Sequence, residues 1–172
     1  MKFKSSRKTL RQSIRLKNWD YANLGSYFIT ISIRYRKQYF GEVVDGKLLP
    51  SKLGEIVESE WLRSVNLRPQ MNLHLGAYVV MPDHFHGLIT FGNVKIAAYE
   101  NRPEYKNNFG PQSNNLASLI RGFKSAITTK ARIMGHSKFN WTIGYHESII
   151  KSEVHYQAVT KYILNNRKNW VG

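Results

Sequence analysis

Two histidines, His84 and His86, lie one residue apart in an apolar stretch that begins at Met81. Because side chains on a β-strand alternate between its faces, both imidazoles are expected to project from one face, about 7 Å apart along the backbone. A pair of imidazoles presented in this way can bind one divalent metal ion. The same pattern also occurs where two histidines on a half-buried sheet satisfy each other's hydrogen bonds, so the pair alone leaves both interpretations open.

A second group of polar residues lies near the C-terminus, where Tyr162 and Asn166 are four residues apart. Ser152 and Glu153 precede them as a hydroxyl cap and an acidic first turn, which is typical of a helix start. On a helix, residues four apart share a face, about 6 Å from each other. Together with the histidine pair, they would supply two imidazoles and an amide oxygen for a divalent cation, and a hydroxyl group as nucleophile.

The order of these motifs resembles that of the single-tyrosine HUH transposases, and within them the REP-associated tyrosine transposases and their insertion-sequence relatives. The resemblance extends over nearly the whole chain, and several matches in one order are far more specific than the histidine pair alone. The matching segments are Ser13-Ile14-Arg15-Leu16, Asp20-Tyr21, Tyr27 to Ile31, Phe40-Gly41-Glu42, Met81 to His86, Arg121 to Ser125, Gly144-Tyr145-His146 and Tyr162 to Asn166.

The resemblance implies a role for each residue of the two motifs. It implies that His84, His86 and Asn166 bind Mg²⁺ or Mn²⁺, and that Tyr162 is the catalytic nucleophile. The implied activity is cleavage and rejoining of single-stranded, hairpin-bearing DNA through a 5′-phosphotyrosine intermediate, which is a strand transesterification that needs no ATP. Whether a monomer or a homodimer carries it out stays open.

One position departs from the pattern of the family. The family commonly has a proline after the motif asparagine, whereas Arg167 follows Asn166 in this chain. Without a proline to stop it, the helix is expected to continue toward Lys168 and Trp170. The amide ligand of the family is kept in Asn166, and the orientation of its side chain depends on the path of the helix beyond it.

The overall charge favours a polyanionic partner. The 172 residues include 26 Lys plus Arg against 11 Asp plus Glu, a formal net charge of +15. Nucleic acid is the expected partner, and no segment approaches the roughly 18 apolar residues of a membrane span. The chain has no cysteine, which excludes disulfides and thiolate metal sites and favours a cytoplasmic, nucleoid-associated protein.

Basic residues in three places are candidates for contacts with DNA, although a solvated charged face or a structural histidine would give the same pattern. One set belongs to a basic N-terminal arm, residues 1–20, and a second to the polar side of the second long helix. The candidates are Arg7, Lys8, Arg11 and Arg15 in the arm, Arg121, Lys124, Lys130 and Arg132 on the helix, and His146 near the last strand.

Three alternatives compete with this interpretation. Tyr145 and Tyr156 are rival nucleophiles, but neither has a potential ligand placed like Asn166. A domesticated, non-catalytic protein could bind structured DNA or RNA through the same basic surface. A histidine phosphoesterase would need two His-x-Ser/Thr motifs, and His146-Glu147-Ser148 is the one such pattern.

The elements that must position these residues follow from periodicity and turn signals. The length and the 42% of apolar residues fit one domain over residues 1–172. Alternation predicts strands over 27–34, 73–80 and 84–91, β character over 141–150, and a hairpin at Asp45-Gly46. Helices are predicted after the caps Ser51, Asn114 or Asn115, and Ser152, with a mobile polar loop over about 92–115. The order favours an α+β fold, and the resemblance implies a ferredoxin-like antiparallel sheet with helices packed mainly on one face.

Overall fold

The computed structural model describes residues 25–92 and 113–170. The strands and helices, in chain order, are β1 (Gly25–Ser32), β2 (Gly41–Val44), β3 (Lys47–Pro50), α1 (Lys52–Asn66), β4 (Leu73–Met81), β5 (His84–Phe91), α2 (Leu116–Ile133), β6 (His146–Ile149) and α3 (Glu153–Asn165). Short 3-10 turns occupy Arg34–Arg36, Pro69–Met71 and Asn166–Asn169.

Four strands form one antiparallel sheet in the order β4-β5-β1-β6. With α1 and α2 between them, these strands follow the β-α-β-β-α-β order of a ferredoxin-like fold. The separate two-stranded hairpin of β2 and β3 is inserted between β1 and α1. The predicted α+β architecture with an antiparallel sheet is therefore confirmed.

The two faces of the sheet are covered by different helices. On one face, α1 and α2 contribute Trp61 and Phe123 to the main apolar core, where both rings pack against Phe85 of β5. On the opposite face, Ile163 of α3 packs against Leu88 and its neighbours in a smaller apolar cluster. Two of the three long helices thus share a face, as predicted, and the third lies on the face toward which the histidines project.

Local signals in the sequence account for the boundaries of the helices. The side chains of Ser51, Asn115 and Ser152 each accept a hydrogen bond from a backbone amide in the first turn of the following helix. Such capping satisfies donors that the helix itself leaves unpaired. At the hairpin, Asp45 and Gly46 have φ values of 50° and 70°, the left-handed pair that a tight two-residue turn requires.

The predicted β character of residues 141–150 is only partly correct. Strand β6 occupies His146–Ile149, and Trp141 makes a single isolated bridge to Ile33. Gly144 separates them with a φ of 77°, which is a turn conformation incompatible with a continuous strand. The short β6 nevertheless pairs with β1 and forms an edge of the sheet.

Some predictions concern residues outside the described part of the chain. They are the basic arm, including Arg7, Lys8, Arg11 and Arg15, and residues 93–112 of the predicted polar loop. Within residues 25–92 and 113–170, no helix is long and apolar enough to cross a lipid bilayer.

Candidate active site

The two histidines of β5 point toward α3 and meet edge to face. The Nε2 atoms of His84 and His86 are 3.1 Å apart, and the ring centroids are 4.6 Å apart. The exposed fractions of the two residues are 6% and 5%, so the pair lies beneath α3 and the segment that follows it. The prediction that both imidazoles share a face is confirmed.

The opposite nitrogen of each imidazole has its own partner. Nδ1 of His84 lies 2.5 Å from Oδ1 of Asp83, and Nδ1 of His86 lies 2.8 Å from the hydroxyl of Thr30. Thr30 is the direct cross-strand neighbour of His86 in the β1–β5 register. When both Nδ1 atoms carry a proton, they donate to these oxygens and leave the Nε2 lone pairs directed at one point.

Asp83 is itself held in place by Arg36. The Nε atom of Arg36 lies 2.6 Å from Oδ2 of Asp83, and the Asp83 side chain is almost wholly buried. A buried carboxylate needs such a partner, since an unpaired charge in an apolar environment is costly. Arg36, Asp83 and His84 therefore form a chain of charge-assisted contacts that fixes the orientation of the first imidazole.

Both imidazoles are held in the neutral form. Burial lowers the pKa of His86 to about 3, and the nearby His84 and Arg36 act in the same direction. Burial also lowers the pKa of His84, although the contact with Asp83 opposes that shift. Neutral imidazole is the form that binds a metal ion, so at neutral pH no proton has to leave before binding.

Helix α3 brings Tyr162 and Asn166 to the same place. The Tyr162 hydroxyl lies 3.4 Å from Nε2 of His86, a long hydrogen bond. The Asn166 side chain is close enough to His84 to oppose, weakly, the lowering of the His84 pKa by burial. Tyr162 is 50% exposed, which leaves its phenol open to an incoming molecule. The structure thus brings together all four residues that the two motifs contribute.

Two aromatic side chains form the walls of the site. Phe28 of β1 stacks on the ring of His86, with 5.3 Å between centroids, and meets Tyr162 edge to face at 5.9 Å. The ring of Trp170 lies 5.8 Å from that of His84. The α-helix ends at Asn165 and the chain continues as a 3-10 turn to Asn169, so the expected helical continuation takes the form of a 3-10 turn and stops before Trp170. That continuation is what places Trp170 over the first histidine.

The donor set fits a divalent metal ion. Two imidazole nitrogens that bind the same ion at about 2.0–2.1 Å are separated by roughly 2.8–3.4 Å for octahedral to tetrahedral angles. The observed 3.1 Å between the Nε2 atoms of His84 and His86 lies in this range. Among the described residues, no three His, Cys, Asp or Glu side chains form a cluster that could hold a metal. A third protein ligand from this part of the chain would have to be another kind of donor, and the Asn166 amide lies beside His84.

The rival nucleophiles lie elsewhere. Tyr145 packs against the main core, beneath the opposite face of the sheet. Tyr156 is one of the residues that pack on the smaller cluster of the α3 face, and its hydroxyl lies close to Gly76 in β4.

His146, a candidate for contacts with DNA, lies near the histidine pair. It is the β6 neighbour of Thr30, so its exposed side chain lies on the histidine face. There it contributes to lowering the pKa of His86.

The four basic candidates on α2 lie on the other face of the sheet, where Lys124 and Lys130 contact other parts of the fold. Lys124 donates to the backbone carbonyls of Thr142 and Gly144 at 2.9 and 2.7 Å. Lys130 lies 2.6 Å from the buried carboxylate of Glu60. Arg121 and Arg132 are exposed. The proposed contacts of α2 with DNA stay predictions, and the structure gives Lys124 and Lys130 a role in holding the fold together.

Sequence reasoning gave no role to Thr30, Phe28, Trp170 or Arg36. The first two reach the site through the β1–β5 register, and Trp170 through the path of the chain beyond α3. Asp83 did carry a signal, because a carboxylate directly before a pair of histidines is a natural partner for one of them.

Comparisons with known proteins find a relative by sequence and solved structures that are similar to this chain. No family model matches the chain. An uncharacterized protein from Haemophilus influenzae is 32% identical over 164 residues, which cover 93% of this chain and 89% of the relative. The structure of a REP-associated tyrosine transposase bound to a REP hairpin aligns over 95% of this chain and 76% of that one, with a TM-score of 0.54 and 18% identity. The two proteins therefore share a fold.

Proposed function

The chain belongs to the same family as the uncharacterized Haemophilus influenzae protein. From the arrangement of its site and from its fold, we propose that it is a DNA-strand transesterase of the single-tyrosine HUH type. It cleaves and rejoins single-stranded, hairpin-bearing DNA through a 5′-phosphotyrosine. The observation that carries this proposal is the position of the Tyr162 hydroxyl, 3.4 Å from Nε2 of His86.

The fold and the charge of the chain support DNA as the substrate. A solved structure that shares this fold is that of a REP-associated tyrosine transposase bound to a REP hairpin. A net charge of +15 on 172 residues suits a polyanionic ligand. Both observations favour a nucleic acid over a small neutral substrate.

Each residue of the site has a definite task in this reaction. His84, His86 and Asn166 would hold the divalent ion. Bound Mg²⁺ or Mn²⁺ would supply Lewis-acid stabilisation of the charge that develops on the phosphoryl oxygens. The Tyr162 oxygen attacks phosphorus and loses its proton to solvent, while the bond from phosphorus to the 3′ oxygen breaks and releases a 3′-hydroxyl.

The side chains around Tyr162 prepare it for this attack. Phe28 meets the phenol edge to face and restricts the ring, so that less freedom has to be lost when substrate binds. Because Tyr162 is half exposed, a phosphodiester can reach it from the solvent side. Because the phosphotyrosine retains the energy of the phosphodiester bond, attack by a 3′-hydroxyl rejoins the strand without ATP.

The test is formation of a covalent adduct. Purified protein is incubated with an end-labelled hairpin DNA carrying single-stranded tails and with Mn²⁺, and the adduct is separated on a denaturing gel. Tyr162→Phe is expected to form none, while Tyr156→Phe, which removes a hydroxyl on the same helix, retains it. Adduct formation by Tyr162→Phe at the wild-type rate would exclude Tyr162 as the nucleophile. Salt-sensitive, metal-independent binding without adduct would favour the non-catalytic alternative.

A further inference from the structure

A short turn after β1 lies at the end of the sheet that carries the site. Ser32, the last residue of β1, is the cross-strand neighbour of His84. The amide of Ile33 then donates to the carbonyl of Asp83 at 2.8 Å. The 3-10 turn Arg34–Arg36 follows directly. Whatever binds this turn is therefore close to the imidazole of His84.

The turn is strained and presents an aromatic ring to solvent. Tyr35 and Arg36 have φ values of 61° and 53°, and Tyr35 is 76% exposed. For a residue other than glycine, this left-handed conformation is unfavourable, and such strain persists where the surroundings hold it and clusters at binding and catalytic sites. Here two consecutive residues adopt this conformation, and one of them carries a large exposed ring. A loop that only faced solvent would have no reason to keep such strain.

The neighbours of the turn hold it in this conformation. Nε of Arg36 contacts the buried carboxylate of Asp83 at 2.6 Å, and the amide of Arg34 donates to the carbonyl of Asn140 at 2.8 Å. The guanidinium carbon of Arg34 lies 4.7 Å from the centroid of the Tyr35 ring. The turn is thus anchored on both sides, with one anchor on the residue that orients His84, and the ring is left facing outward.

We propose that Tyr35 stacks on an unpaired base of the DNA substrate beside the active site, and that Lys37 contacts the backbone of the same strand. The inference rests on the proposed function and adds to it the residues that bind the unpaired strand. In Arg34-Tyr35-Arg36-Lys37, Arg36 is paired with Asp83, and the cations Arg34 and Lys37 remain beside one aromatic ring. Proteins that bind single strands combine these two features, because every base has a face for stacking and every nucleotide a phosphate.

Stacking can be measured with 2-aminopurine placed at successive positions in the single-stranded tail of a hairpin DNA, in a chelator so that no cleavage occurs. Wild type and Tyr35→Phe should quench the fluorescence at one or two positions. Tyr35→Asn, a residue that tolerates the left-handed backbone, should lose the quenching and bind roughly 5- to 150-fold more weakly. Ile133→Ala, which alters a side chain 80% exposed at the end of α2, is the control and should be unchanged.

A second variant tests the backbone contact and makes no demand on the conformation of the turn. Lys37→Gln should lower the slope of log affinity against log salt by about 0.7, the value for one phosphate contact in a single strand. An unchanged slope contradicts that contact. Wild-type binding and quenching by Tyr35→Asn, or no quenching by the wild type at any tail position, would overturn the stacking role.

The outcome of the stacking experiment can be distinguished from the outcome of the covalent-adduct experiment. Binding in chelator does not depend on the chemistry of Tyr162. Quenching that requires Tyr35, in a protein that forms no covalent adduct, would keep the stacking role and reject the reaction. Adduct formation by the wild type, together with unaltered quenching by Tyr35→Asn, would support the reaction and reject the stacking role.

Discussion

The two faces of the sheet differ in what fills the space between strand and helix. Beneath α1 and α2 the contacts are aromatic and aliphatic, and Trp61 lies against Phe85 with 4.7 Å between ring centroids. Beneath α3 the central strands present the polar side chains of His84, His86 and Thr30, which lie in contact with one another. The α1 and α2 face therefore supplies most of the apolar burial that stabilises the fold. The α3 face carries a polar site, and the packed sheet beneath it holds the side chains of that site in place.

The largest expected effect comes from His86→Ala on the polar face. Removing one of two imidazoles should lower the rate of adduct formation by more than about 100-fold, because metal-supplied charge stabilisation is worth several kcal/mol. His74→Ala, which changes an exposed histidine of β4 whose ring contacts Asn72, is the matched control and should retain the rate. Equal rates in the two variants would show that the histidine pair does not serve the reaction.

A pair of glycine substitutions compares the packing of the two faces directly. A Cβ at Gly87 would lie 2.7 Å from Cζ2 of Trp61 and 2.9 Å from the ring of Phe85, whereas one at Gly76 would meet the Tyr156 hydroxyl at 3.0 Å and side-chain atoms of Leu88. The packed rings of Trp61 and Phe85 cannot move away from a new Cβ atom as easily as the Tyr156 hydroxyl and the Leu88 side chain can. Gly87→Ala should therefore reduce the free energy of unfolding by about 1–3 kcal/mol, and Gly76→Ala by less, in urea titrations. The reverse order would mean that the α3 face is the more tightly packed.

Acid should destabilise the metal-free protein through the polar face. The pKa of His86 is about 3 in the folded state, below the ordinary value near 6.5. As the pH falls below about 6.5, the unfolded chain takes up a proton that the folded chain does not, so stability falls by up to about 1.4 kcal/mol per pH unit. In chelator, the free energy of unfolding of His86→Gln should depend less steeply on pH between about 6.5 and 5 than that of the wild type. Identical slopes would show that His86 is not held neutral.

The sequence predicted the parts of the site that depend on local periodicity. His84 and His86 share a face because strand side chains alternate, and Tyr162 and Asn166 share one because they are four apart on a helix. Thr30 and Phe28 could not be assigned, since their contacts depend on the register between β1 and β5, strands more than fifty residues apart in sequence. Register is set by the whole packed sheet.

The basic face of α2 shows a second limit of sequence reasoning. Helical spacing placed Lys124 and Lys130 together as exposed cations, yet both reach partners distant in the chain, the Thr142 carbonyl and the Glu60 carboxylate. Composition reports how many charges a surface carries. It does not report which of them the fold has already paired.

The most direct test of a tyrosine and histidine site beneath α3 is the identity of the residue that becomes attached to DNA. After adduct formation, nuclease treatment and trypsin digestion, Tyr145, Tyr156 and Tyr162 lie in different peptides, residues 139–151, 152–161 and 162–167. Mass spectrometry should find the nucleotide on the peptide 162–167. A nucleotide on either of the other two peptides would contradict the account.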